Sequence, residues 1–340
     1  MYISWIHDYV PKLFGGLAFL VNPIFVYLIF SKKSAKLGNY KYLLLYFATF
    51  NVIYSSFDIF VPIGIHNYRY GFFIFTSDGY FFPRSQLGVF MLSTRCSLIS
   101  CSYAVLITHF IYRYLAIRRC SIVQHHFKLY MTLSFILFLV YYTVWNLVCY
   151  KFGYADSESR EYVRKNFRET YDIDSMDLNI LVTTFDEVSA ESVFRARTAI
   201  LAVTFISGSS IIFLITMGFK IMRRLNEASL QMSEKTSRLQ RDLLRALTVQ
   251  CVIPICVSFV PCALSWYSPV FNVNLGRGFN YIESIALSAF PLFDPIAIVL
   301  CLPVLREQMF RERLRKKENV EISNVSSALR VLDPQSQSTS

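Results

Sequence analysis

LYMTLSFILFLVYYTVWNLVCY, residues 129–150, runs for 22 positions without an Asp, Glu, Lys or Arg. Wound as an α-helix it would be about 33 Å long, which matches the ~30 Å hydrocarbon core of a bilayer. Lipid offers no hydrogen bonds, so a segment crossing it satisfies its backbone internally, as a helix does. Two other runs are equally free of charge: LFGGLAFLVNPIFVYLIF at 13–30 and TAILAVTFISGSSIIFLITMGF at 198–219. Around them, 246–268 forms a fourth apolar stretch, and 42–65, 87–117 and 278–303 are predominantly apolar with a few ionisable residues. The expectation is an all-α membrane protein, a seven-transmembrane helix bundle.

Whole-chain composition agrees. The 340 residues are 54% hydrophobic and 16% aromatic with only 17% charged, more apolar surface than a soluble core of this length can bury. The net charge of +11 lies in short clusters between apolar blocks, which excludes a nucleic-acid footprint and points to membrane topology. Seven spans put the termini on opposite sides. Loop 31–41 (Lys32, Lys33, Lys36, Lys41), loop 118–128 (Arg118, Arg119, Lys128), the basic segment 220–245 and the tail from Arg306 share one side. The other side carries a nearly uncharged N-terminus, loop 66–86 with Arg69 and Arg84, and a long loop 151–197 in which acids outnumber bases. The positive-inside rule therefore predicts the N-terminus outside and the C-terminus in the cytosol.

The first apolar run has no basic segment and cleavage site before it, so it is expected to stay as a helix. Asn324-Val325-Ser326, the single N-x-S/T match, falls in the expected cytosolic tail, where it would go unused. No repeat relates the two halves, which counts against a transporter built from duplicated units. The receptor domain is expected over 1–317 and a disordered tail over 318–340, rich in Ser and Gln after Val325.

Four local sequences sharpen the class. GNYKYLLLYFATFN at 38–51, DIFVPIGIHNYRYGFFIF at 58–75, HFIYRYLAI at 109–117 and FPLFDPIAIVL at 290–300 resemble the nematode chemoreceptors of the Str superfamily. Within it, the opening WIHDYVPKLFGGLAFLVNPIFVYLIF is most similar to the Srj family, and the resemblance extends to about Lys317. It implies a G-protein-coupled chemosensory receptor with no cofactor. Its partners would be a small-molecule odorant, a heterotrimeric G protein and the lipid bilayer, and its location the ciliary membrane of sensory neurons.

Ionisable residues within a span are expensive unless they face the bundle interior or a watery cavity. Counting 1.5 Å per residue, Asp58 in the second span, Arg95 in the third and Glu283 in the seventh all fall in the outer leaflet. The receptor fold that the resemblance implies makes these helices neighbours, so Arg95 is expected to pair with Asp58 or Glu283 and the cluster to border the odorant pocket. Two alternatives stay open: a structural ion pair that never meets ligand, and an interfacial, water-contacting Glu283. Tyr103 and Trp145 are candidate lining residues or ordinary packing.

At the other end of the third span, Tyr112-Arg113-Tyr114 resembles the Asp-Arg-Tyr triplet of rhodopsin-like receptors, with tyrosine in place of the acid. The resemblance implies an arginine held by the sixth helix at rest and released to a G protein; the alternative is a membrane-edge arginine that snorkels. Pro254 and Pro261 each delete a backbone hydrogen bond and are expected to kink or loosen the sixth helix. Asp294-Pro295 resembles the Asn/Asp-Pro-x-x-Tyr motif without its tyrosine, since Ile298 stands there, leaving a polar hinge at Asp294. Asn22 and Asn51 are expected to join that interior network or to bond neighbouring helices.

Leu305, Met309, Phe310 and Leu314 alternate with Arg306, Arg311, Arg313 and Arg315, which suits a short helix on the inner membrane surface over 304–317. Residues 226–245 are expected to extend the fifth and sixth helices. YRYGFFIFTSDGYFF at 68–82 predicts a hairpin about a Ser77-Asp78-Gly79 turn. Loop 151–197 lacks the cysteine that ties it down in rhodopsin-like receptors, so its anchoring is unexplained; Cys96 and Cys149 near the outer face are a candidate pair or two free thiols. A seven-helix ligand-gated channel of the insect type would need the opposite orientation, and a retinal photoreceptor would need a lysine in 278–303, which has none. The five histidines have no metal-ligand spacing, and neither a GxSxG elbow nor a P-loop occurs, so enzyme chemistry is not expected.

Overall fold

The computed structural model describes residues 5–31, 37–229 and 234–309. Among them the long helices are α1 (Trp5–Phe30), α2 (Tyr40–Phe60), α3 (Gln86–Ile117), α4 (Phe127–Phe152), α6 (Ala190–Ser229) and α8 (Arg277–Cys301). The sixth span, α7, covers Glu234–Pro254 and continues through a π-helical turn, Ile255–Phe259, into Val260–Tyr267. A shorter helix, α5 (Ser157–Tyr171), and three strands, β1 (Ile63–Tyr68), β2 (Gly71–Thr76) and β3 (Ile180–Thr184), lie at one end of the bundle. Among the described residues, seven helices are long and apolar enough to cross a membrane.

Burial sorts these seven by position. The apolar window of α3 is 89% buried, against 22% for α4 and 17% for α6, so α3 is the central column and the other two are peripheral. On α4, Leu129, Leu133, Ile136, Val140, Val144 and Leu147 form an exposed stripe at helical spacing, and Leu201, Phe205, Ile212 and Phe219 do the same on α6. Water would not tolerate apolar stripes of this length; acyl chains cover them. The spans without charge are the ones that meet lipid, and the ionisable residues sit on the helices buried among them.

The second helix is shorter than the expected 42–65. It stops at Phe60 because Val61 precedes Pro62, and a residue before proline is pushed out of the helical region, here to φ −131° and ψ 67°. The β-branched residues beyond it, which extend the apolar run, form β1 instead. The hairpin is correspondingly displaced. β1 and β2 pair antiparallel from Ile63↔Thr76 to Tyr68↔Gly71, so the turn is Arg69-Tyr70, with Arg69 at φ 49°, and not Ser77-Asp78-Gly79. Those residues make a separate turn, held to α1 by a 2.5 Å ion pair between Lys12 and Asp78.

The long loop supplies α5 and β3. Asp156 caps α5 by accepting from the Ser159 N–H at 2.8 Å, and Asp172 closes it in the left-handed conformation. β3 pairs antiparallel with β2, giving a three-stranded sheet of order β1-β2-β3. Period-two alternation gives the sheet two faces. Ile63, Ile65, Phe72 and Leu181 join the bundle core, while Phe73, Phe75, Ile180 and Val182 pack with Val163, Phe167 and Tyr171 of α5. Gly64 is required because the Phe75 ring crosses it; a Cβ there would meet the ring at 2.4 Å.

At the far end the chain is helical again over 303–309, and Gln308 donates to the Ser31 hydroxyl at 2.5 Å. Lys32, Lys33 and Lys36, the remainder of the expected surface helix (Phe310, Arg311, Arg313, Leu314 and Arg315), the sequon at Asn324 and the tail 318–340 lie outside the described residues.

Candidate ligand cavity and switch region

The sheet roofs a cavity of about 90 Å³. Ile65, Phe72, Ile74 and Leu181 line it from the sheet, Ile99 from α3, Trp145 from α4, Ala199 and Ile200 from α6, Cys262 and Trp266 from α7, and Glu283 and Leu287 from α8. The lining is almost wholly apolar or aromatic, and the Trp145 and Trp266 rings stand 5.8 Å apart. Trp145 is therefore a lining residue. Tyr103 is packing, with its ring 4.1 Å from that of Phe259 in the π turn.

Of the three charges expected to cluster, two meet. Arg95 and Asp58 form a buried ion pair, 0% and 3% exposed, and the Arg95 guanidinium lies 4.2 Å from the centroid of the Tyr54 ring. Glu283 stands apart from them. It accepts a hydrogen bond from the Ser265 hydroxyl and faces the cavity, and at 1% exposure it is no interfacial, water-washed carboxylate. The pair does not line that cavity. Asp58 borders a separate space of about 10 Å³ with Pro62, Ser77, Ser284 and Ser288, which is water-sized.

Polar contacts, not a disulfide, tie the sheet and α5 to the bundle. Asn179 accepts from the Ser85 N–H at 2.9 Å and donates to the Phe81 and Pro83 carbonyls at 2.6 and 2.8 Å. A Cβ at Gly88 would come within 2.0 Å of the Asn179 amide, so glycine alone fits there. Asn67 donates to Ser265 O on α7 and to Ser268 Oγ just beyond it, and Ser284 of α8 donates to Ile63 O at 2.9 Å. Arg195 of α6 pairs with Asp156, and Arg277 donates to Thr170 Oγ1 at 3.0 Å. Arg160 closes the loop by donating to the Ser175 and Leu178 carbonyls; burial, then the neighbouring Arg84, pushes its pKa down to about 10. Burial likewise pushes the His66 imidazole down to about 4, and its nitrogens contact Asn166 Oδ1 at 2.7 Å and the Tyr171 hydroxyl at 3.1 Å. Cys96 and Cys149 are free thiols, both in the cavity lining.

At the opposite end Arg113 is buried at 3% exposure and does not snorkel. Its guanidinium lies 3.7 Å from the centroid of the Tyr40 ring, and Nη1 donates to Gln240 Oε1 of α7 at 3.3 Å. A ring and a neutral amide thus hold the cation in place of a carboxylate. Tyr112 stacks on Tyr40 at 5.7 Å, whereas Tyr114 lies half-buried beside Arg118. Tyr40 and Gln240 carry this arrangement and no motif in the sequence marks them.

The polar contacts of α8 have a backbone origin. Pro295 lacks the N–H that would bond the Pro291 carbonyl one turn earlier, and Asn22 of α1 donates to that carbonyl at 3.1 Å. Asn51 donates to Asn22 Oδ1 at 3.4 Å. The network reaches α8 through this carbonyl, with Asp294 buried beside it. Between Pro254 and Pro261 the sixth span adopts its π turn, the local rearrangement that accommodates missing donors.

A membrane bundle wound about one largely buried span, with an apolar cavity at one end and a sequestered arginine at the other, is the layout of the serpentine receptors of the G-protein-coupled class. Residues 1–309 match the family model described as serpentine type 7TM GPCR chemoreceptor Srj, and the chain belongs to that family. Serpentine receptor class J-38 of Caenorhabditis elegans is 46% identical across 90% of this chain and 93% of that relative. More distant similarity, 25% over 90% of the chain and 91% of the relative, links it to C. elegans serpentine receptor class r-10. G-protein coupled receptor str-33 of the same species is 24% identical over 85% of both chains.

Proposed function

We propose that this receptor sits in the plasma membrane, in sensory cilia, with the sheet outside, and that a small odorant held under the sheet activates a heterotrimeric G protein at the Arg113 end. The observation that carries this reading is the cavity, whose lining comes from five spans and the sheet together. A ligand that fits one arrangement of those helices better than another shifts the population toward it. Both ends of the switch share α7: Cys262 touches the cavity and Gln240 holds Arg113, about 33 Å apart along a helix with a π turn between them. Rotation of α7 about that turn would withdraw Gln240 from Arg113 and leave the arginine free for a G-protein α subunit.

In this reading Glu283 contacts ligand directly. Asp58 and Arg95 set the spacing of α2 and α3 beside the cavity, and Tyr112, Arg113, Tyr114, Pro254, Asp294 and Pro295 belong to the switch. It is a receptor's layout and assigns no reacting group. The test is expression in cells carrying a cyclic-nucleotide or calcium reporter, with volatile and soluble compounds screened against wild type and Arg113→Ala. A response that survives Arg113→Ala at equal surface level would argue against coupling through this end.

A further inference from the structure

Among the described residues the cavity under the sheet contains one carboxyl group, that of Glu283, and apart from Thr183 its other neighbours are apolar, aromatic or thiol-bearing. Its Oε2 accepts from the Ser265 hydroxyl and the weakly donating Cys262 thiol lies against the carboxyl, while Oε1 has no N–H or O–H donor although the residue is 1% exposed. Asp58, the acid nearest in kind, has Arg95 as its cation. Among the described residues no ion pair reaches Glu283. A carboxylate taken out of water without a counter-charge is strongly destabilising, and the same low dielectric strengthens its attraction for a cation that arrives. Trp145 and Trp266, 5.8 Å apart, line the same space, and their ring faces attract ammonium groups.

Resting on the reading of this cavity as the ligand site, we infer that the receptor's ligand class is a small aliphatic amine, its ammonium bound by Glu283 and its hydrocarbon body against Ile65, Ile99 and Leu287. The size follows from the space. A cavity of 150 Å³ accommodates a six-carbon ring, so 90 Å³ accommodates about four non-hydrogen atoms before side chains shift. An ammonium brings a charge and several donors to the unpartnered oxygen. An alcohol of the same length brings one donor and no charge, a ketone brings no donor, and a carboxylate is repelled.

Full-length receptor in lipid nanodiscs would be titrated with propylamine, propan-1-ol, propanone and acetate, each of four non-hydrogen atoms, at pH 7.4, with affinity read from the ligand-dependent rise in melting temperature. Propylamine is expected to bind about tenfold or more tighter than propan-1-ol, the scale of a hydrogen bond to a charged group. Glu283→Gln should remove that preference and leave the alcohol's affinity unchanged, and Glu283→Asp, which keeps the carboxyl, should retain it and control for folding. No stabilisation by propylamine, tighter binding of the ketone or acid, or an amine preference that survives Glu283→Gln would overturn the amine assignment. Ala199→Phe separates the two levels: if it abolishes binding of whichever probe is best, the cavity stands as the ligand site whatever the ligand class. If it leaves propylamine binding intact, the cavity reading itself is wrong.

Discussion

Arg95 of α3 and Asp58 of α2 pair inside the bundle with the Arg95 guanidinium over the Tyr54 ring, so a buried ion pair joins the two helices near the sheet as Tyr40 against Arg113 and Tyr112 joins them at the other end. Removing one partner leaves the other charge stranded, which is far more damaging than replacing both with apolar side chains. Arg95→Met should therefore destabilise the receptor by about 3–5 kcal/mol, and Arg95→Met/Asp58→Leu should recover most of that loss. Melting curves of the purified proteins check it. Since the pair lies outside the cavity lining, the double variant should keep the wild-type ligand response.

Asn22 and Pro295 form a second coupled pair. The Asn22 amide serves the Pro291 carbonyl that Pro295 leaves unbonded. Asn22→Ala should cost about 1–3 kcal/mol by orphaning that carbonyl. Pro295→Ala restores the helix's own N–H, so the loss from Asn22→Ala should be smaller in that background. A double-mutant cycle by thermal unfolding that returned strict additivity would show the two to be independent.

His66 gives the sheet and α5 a dependence on pH. Its folded-state pKa, pushed by burial to about 4, lies below the ordinary value of 6.5, so the native state binds fewer protons than the unfolded state between those values. The stability of a neutral His66 is present in full above 6.5 and is lost progressively as pH falls toward 4. Arg277, which already disfavours a charge at His66, bonds α5 through Thr170. Amide hydrogen exchange in α5 and β1 should accelerate on moving from pH 7.4 to about 5, relative to exchange in α3 and after correction for the intrinsic rate. His66→Gln should abolish that difference.

Gln240 should act as a restraint. Among the described residues its removal leaves Arg113 with the Tyr40 ring, so Gln240→Ala is expected to raise ligand-independent signalling about twofold to tenfold, the effect of losing one hydrogen bond of ordinary strength, as its 3.3 Å length implies. Tyr40→Leu should act in the same direction. Basal reporter output normalised to surface receptor is the measurement, and unchanged output from both variants would remove Tyr40 and Gln240 from the switch.

The bundle was legible because lipid imposes a crude code: charge-free runs at 13–30, 129–150 and 198–219 are helices facing acyl chains, and ionisable residues mark the interior ones. The end of α2 was not, because β1 continues its apolar run and only Pro62 marks the break. Helix α5 does carry a signal in its residues. Asp156 precedes a stretch with Val163, Phe167 and Tyr171 at spacings of four, and the adjoining ILVTT of β3 is strand-prone. Asp58 and Arg95 could be named from their burial penalty alone. Tyr40, Gln240 and Ser265 could not, since tyrosine, glutamine and serine pass unnoticed in a helix until folding sets them against a charge.

Everything functional in this account requires the Arg113 end to face the cytosol. An epitope at the N-terminus and a second epitope inserted after Ser229, between α6 and α7, can be probed by antibody before and after permeabilising the cell. The account predicts that the N-terminal tag is reached on intact cells and the internal tag only after permeabilisation; the reverse pattern would contradict it.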